Sequence, residues 1–281
     1  MGAPVDTTTS PLTPPGSTVA DPGTPTTPVS HAQVIAALSR VRDPELDEPI
    51  TDLRFVVSVD IDASGSVDVG LRLPTFFCAP NFAYIMAADA RDELSLVPGV
   101  TRIRVRLVDH FVDEEVTTGI GDDRGFGGTF EGQTAGDDLF ELRQTFARKA
   151  YLARTHEVVG ALLAAGIPRA ALHACTLADL PASREVERYL ERRSEIGLPV
   201  HTDAPLLLDV WGAPVPPAQV DDHLRRARTV NVSIEGNAGF CRGLLETRYA
   251  PGGTGKDDGR IDPDLLVARA EELLMSSRST G

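Results

Sequence analysis

Positive charge, cysteine and long apolar runs are what this chain has least of. Its 27 Lys and Arg face 41 Asp and Glu, a formal charge of -14, so its average field repels phosphate backbones and a nucleic-acid partner is not expected. The three cysteines, Cys78, Cys175 and Cys241, are an odd number at wide spacing. That excludes a disulfide framework and predicts reduced thiols, hence the cytoplasm. No apolar run reaches the roughly 18 residues that a membrane helix needs, and the first residues lack the basic and apolar stretches of a secretory signal. Catalytic signatures are equally scarce. No Gly-x-Ser-x-Gly elbow, His-Glu-x-x-His helix or dinucleotide fingerprint occurs. The segment Gly252 to Asp257 imitates a phosphate loop, but Ala250 stands where glycine is required and Asp257 where a hydroxyl must meet Mg²⁺. Nucleotide hydrolysis is therefore excluded, and a self-contained enzyme is not expected.

What is present is patterned. Residues 1–29 are rich in Thr, Pro, Ser and Gly, a composition that cannot offset the entropy of ordering, and are expected to form a disordered tail. Ser30 and Gln33 make a capping box ahead of Val34, Ile35, Leu38 and Val41 at helical spacing. Leu53, Phe55, Val57, Val59 and Ile61 then alternate with polar residues, leaving Val56 as the one apolar side chain on the outer face. Val67, Val69, Leu71 and Leu73 repeat the pattern after a turn at Ala63-Ser64-Gly65, so a hairpin is predicted. A helix from Pro80 to Leu94 follows, and Ile103, Val105 and Leu107 make a third strand. The class is α+β, a helix-strand-strand-helix-strand domain over 30–118 with Leu53, Phe55, Val57, Val69, Leu71, Ile85 and Val105 in its core.

Downstream, 119–136 reads as an exposed loop rich in glycine and acidic residues, and 137–281 as a C-terminal α/β extension. Helices are predicted over 137–165, 183–196, 217–228 and 263–275, with short strands over 206–211 and 230–234.

The sharpest constellation is Asp43-Pro44-Glu45, Thr51-Asp52-Leu53, Leu73-Pro74-Thr75-Phe76-Phe77-Cys78-Ala79-Pro80 and Pro98-Gly99-Val100. Cys78 stands between a strand end and a helix N-terminus, where the dipole and unpaired N–H groups favour a thiolate. Cys241, among glycines and beside Arg242, is either a second functional thiol or a core residue. His110, Glu114 and their neighbours in Asp109 to Glu115 offer the imidazole and carboxylate ligands that iron accepts, or else form a solvated acidic cluster. Cys175 is expected to be structural. Arg102, Arg104 and Arg106 share one strand face, where their stems are expected to cover the sheet.

These motifs resemble, in order, those of the iron-sulfur cluster assembly family (PaaD-like, SufT-like, metal-sulfur cluster biosynthetic). The family shows an Asp-Pro-Glu segment (here Asp43, Pro44, Glu45), an Asp-Leu entering strand one (Asp52), a Thr and a Cys-Pro at the second strand end (Thr75, Cys78, Pro80) and a Gly-Val before strand three. Two departures stand out: Ala79 separates Cys78 from Pro80, and the common domain has no long C-terminal extension. The resemblance implies a metallocentre maturation factor that handles iron, or an iron-sulfur cluster, transiently. Cys78 is its leading ligand; Cys241, His110 and Glu114 are further candidates. The extended variant resembles forms linked to soluble di-iron monooxygenase gene clusters, which implies a di-iron oxygenase subunit as client. The alternatives are a chaperone-like module that binds the client without metal, and a cysteine enzyme with His110 as base. Homodimerisation is left open.

Overall fold

The computed structural model describes residues 28–130 and 139–249. The phosphate-loop look-alike, the first 27 residues and the helix expected over 263–275 lie outside them. The Ser30 hydroxyl accepts the Gln33 N–H at 3.3 Å, and Gln33 accepts the Ser30 N–H at 2.9 Å, so α1 (His31–Leu38) starts as the capping box requires. A three-stranded sheet follows, ordered β1 (Val56–Ile61), β2 (Ser66–Arg72), β3 (Arg102–Val108). β1 and β2 are an antiparallel hairpin; β2 and β3 are parallel, joined by the crossover helix α2 (Pro80–Ser95). Pro80 stands in the first turn of α2, where its missing N–H costs nothing.

Leu53, Phe55, Val69, Leu71, Ile85 and Val105 are buried as expected. Val57 is not. The register passes from Val56 opposite Leu71 to Ser58 opposite Gly70, so Val57 is the extra residue of a β-bulge and is 40% exposed. Val56, expected on the outer face, packs instead against the core with Val59 and Ile61. A bulge resets the two-residue period, which strict alternation in sequence cannot show.

The expected loop at 119–136 is also corrected where it is described. α3 (Asp113–Gly121) and α4 (Gly125–Thr129) fold against the sheet domain, and Phe126 and Phe130 are buried around Tyr84 with ring centroids 5.4 and 6.4 Å from it. Residues 121–125 stay exposed, and the two aromatic side chains anchor the rest of the segment to the sheet domain.

The C-terminal region is helical: α5 (Phe140–Ala164), α6 (Arg184–Glu195) and α7 (Val220–Tyr249), with short 3-10 turns between. Neither expected strand forms. Leu206, Leu207 and Leu208 are buried in a second core, but the Leu206 and Leu208 carbonyls are satisfied by the hydroxyls of Tyr189 (2.8 Å) and Tyr151 (2.9 Å) instead of a ladder. Residues 230–234 lie inside α7. That helix is about 45 Å long and serves both cores: Val220 and Leu224 pack in the second, Ala238, Cys241 and Leu245 on the first.

Candidate functional site

Because β2 and β3 run parallel, their carboxyl ends lie side by side, the usual place for a site in such a unit. The chain leaves β2 through Leu73 to Ala79 and leaves β3 through Asp109 to Val112, and the two loops are tied together. The Phe111 N–H donates to the Phe76 carbonyl at 3.0 Å, and His110 Nε2 is 2.9 Å from the Cys78 carbonyl. His110 Nδ1 faces the Val112 N–H at 3.4 Å. The pattern assigns the proton to Nε2, which donates to Cys78, while Nδ1 accepts. Burial holds the imidazole below its ordinary range, in its neutral form. Both ring nitrogens are thus committed to the backbone. His110 latches the cysteine loop and has no ring nitrogen left to take a proton from the Cys78 thiol.

Cys78 is half-buried, one residue before the cap of α2. Its Sγ lies 3.1 Å from the hydroxyl of buried Thr75, which is placed to donate to a thiolate. Phe76, Phe77 and Phe111 are all substantially exposed, and Phe76 and Phe111 pair at 6.1 Å. The loop therefore carries an apolar rim.

The Asp-Pro-Glu segment forms a turn held by its own first side chain. The buried Asp43 carboxylate accepts the Glu45 and Leu46 N–H groups, each at 2.8 Å, and burial pushes its pKa up to about 6. Asp52 is peripheral, 3.9 Å from the exposed Arg184.

α7 runs across the same region. Asn237 donates to Glu45 at 3.2 Å, Arg242 to Glu48 at 2.7 Å, and Arg248 pairs with Asp109 at 3.2 Å. Arg72, at the end of β2, lies 4.4 Å under the Tyr249 ring. Cys241 sits between the first two of these contacts. Burial, then Asp43, the Cys78 thiol and Glu45, pushes its own thiol up to about 12. Among the residues expected from sequence, the structure thus joins Cys78, Thr75 and His110 at one loop junction, and sets Cys241, on α7, against the same core with its helix bound to Glu45 and Glu48. Glu114 is exposed in the first turn of α3, and the structure gives its side chain no polar contact with them. Cys175 belongs to the other core. The roles of His110 as a latch and of Arg242, Arg248 and Tyr249 as clamps had no sequence signal, since each depends on a partner far along the chain.

Residues 31–105 match the model of a family described as iron-sulfur cluster assembly protein. This segment is an iron-sulfur assembly domain. The assembly domain is similar to the iron-sulfur cluster carrier protein of Mycobacterium leprae, 38% identical over 84 residues, 30% of this chain and 21% of that protein. The carrier protein of Mycobacterium tuberculosis (strain ATCC 25618 / H37Rv) is 39% identical over 87 residues, 31% of this chain and 22% of its own. An uncharacterised protein of Methanocaldococcus jannaschii is 26% identical over 88 residues, 31% of this chain and 90% of its own. The chain spans about a fifth of the length of its mycobacterial relatives. No solved structure matches it.

Proposed function

We propose that this protein is a maturation factor that carries iron, bare or as an iron-sulfur cluster, to a client metalloenzyme, with Cys78 as the transient ligand. The observation that supports it is the conjunction at Cys78: the thiol of the assembly domain's own loop stands half-buried at the carboxyl ends of the parallel strands. Its loop is latched by His110 and its sulfur faced by the Thr75 hydroxyl. A thiolate is a soft ligand for iron, and a single anchored thiolate binds reversibly enough to pass its cargo on. The exposed Phe76, Phe77 and Phe111 give a client an apolar surface beside the thiol.

A soluble di-iron monooxygenase subunit is the client we favour, on the resemblance of the extended variant to forms found with such enzymes. Its carboxylate-bridged irons sit inside a helical bundle and must be loaded as it folds. The aromatic rim favours one second reading, a binder that holds the client without touching metal.

Co-expression of a client oxygenase with wild type or Cys78→Ser separates the two. The substitution keeps side-chain size and is expected to leave the fold intact, while iron per client and turnover fall several-fold, because a hydroxyl is a harder and weaker iron ligand. Full loading with Cys78→Ser would overturn the carrier reading and leave the binder.

A further inference from the structure

We infer that the cavity between the β1 bulge, the end of β2 and the last turns of α7 is a binding site for a small organic monocarboxylate, with Arg72 as the group that takes its carboxylate. The site is built without the cysteine loop, so it stands or falls apart from the cargo proposed above.

The cavity has a volume of about 400 Å³, the size of a small-molecule site. Leu53, Val57 and Leu245 give it apolar walls, and Val57 is available because the bulge turns it out of the core. Arg54, also on its border, holds a left-handed backbone at φ +61°, a strain of the kind that collects beside binding sites. Five charged side chains line the cavity, and four of them are already paired: Asp52 with Arg184 at 3.9 Å, Arg54 with Glu246 at 4.0 Å, and Arg242 with Glu48 at 2.7 Å. The fifth is Arg72. Among the described residues its guanidinium makes no ion pair; it lies 4.4 Å from the centre of the Tyr249 ring, and its Nε is buried with no acceptor. The Tyr249 hydroxyl does not relieve this, since it donates to Asp109.

The chemistry of the surroundings selects the ligand. A buried N–H without an acceptor is costly, and a guanidinium held against an aromatic face still presents its in-plane donors, a fork that matches the two oxygens of a carboxylate. One uncompensated cation calls for one negative charge. A polyanion would bring excess charge towards Asp52 and Glu246, and a neutral ligand would leave Arg72 without its counter-charge. The apolar walls gain only from a ligand with a hydrocarbon body, which inorganic anions lack.

The test uses the full-length protein with hexanoate as probe, followed by ligand-observed NMR. Hexanoate is expected to bind with a Kd of about 1 mM or below, with nuclear Overhauser contacts from its methylenes to Val57 and Tyr249. Hexanamide, which keeps the body and loses the charge, and inorganic phosphate, which lacks the body, should each bind at least about tenfold more weakly. Arg72→Gln should weaken hexanoate by a similar factor while leaving hexanamide and the circular dichroism spectrum unchanged. Val57→Phe, at a position 40% exposed, should fill the space of the hydrocarbon body and weaken both organic probes. The wild-type contacts and the ranking of the three probes decide the matter even where a variant fails to fold. Hexanamide or phosphate binding as well as hexanoate, full hexanoate affinity in Arg72→Gln, contacts to other residues, or no hexanoate binding at ten times the expected Kd would each overturn the site.

Discussion

At the scale of single residues, the site depends on side chains that hold backbone in place as much as on the thiol. Asp43 shows this with a measurable consequence. Its carboxylate caps two N–H groups while 7% exposed, and its pKa is about 6 in the fold against an ordinary 3.8. The folded protein therefore binds this proton more tightly than the unfolded chain, so its contribution to stability is greatest near pH 4 and declines as pH rises towards 6. Asp43→Asn keeps the accepting oxygen and removes the buried charge. The variant is expected to match wild type near pH 4 and to exceed it by about 1–2 kcal/mol at pH 7. Denaturant titrations at the two pH values check this, and a variant less stable than wild type at pH 7 would contradict it. His110 is a second such residue, expected as a ligand and found as a latch, because burial and two backbone partners claim both nitrogens.

At the scale of elements, the hairpin and the crossover meet at two glycines. Gly65, in the β1–β2 turn, has φ +82°, and a Cβ there would lie 2.2 Å from the Gly99 carbonyl oxygen at the entrance to β3. Gly166, after α5, has φ +91° with open space around it. Gly166→Ala should cost only the left-handed strain, about 1–2 kcal/mol. Gly65→Ala should cost roughly twice that or more, since backbone must also move. Thermal denaturation of the two variants measures the difference, and equal losses would mean that the turns separate freely. The same scale holds the misread segments. Val230, Val232 and Ile234 alternate like a strand, yet helix α7 includes them because its two ends are bound by two different cores; local propensity yields to that packing.

At the scale of the molecule, Asp47 joins the halves. Its carboxylate, 2% exposed, accepts Arg154 of α5 and Arg192 of α6, each at 2.7 Å, and its carbonyl accepts Arg154 at 2.9 Å and Arg188 at 3.0 Å. Arg154 is itself only 6% exposed. Removing the carboxylate leaves buried guanidinium charge without its partner, so Asp47→Ala is expected to cost about 3–5 kcal/mol. A loss under about 1 kcal/mol on urea unfolding would show that apolar contacts alone hold the helical lobe. Asp47 lies four residues beyond Asp43, so the extension grips the assembly domain through the segment that carries the Asp-Pro-Glu motif.

Whatever depends on near neighbours was legible in the sequence. The capping box of α1, the alternation of β2 and β3, Pro80 opening α2 and the Cys78 loop between strand and helix follow from short-range sterics, period and motif. What depends on residues meeting across the chain was decided only by tertiary structure: the bulge that turns Val57 outward, the burial of Phe126 and Phe130, and the unbroken α7. The packing of Cys241 on the first core belongs to that second kind. Spacing fixes which face of an element a residue occupies, but the partner of that face is chosen by packing free energy summed over the whole fold, and a single sequence does not display that sum.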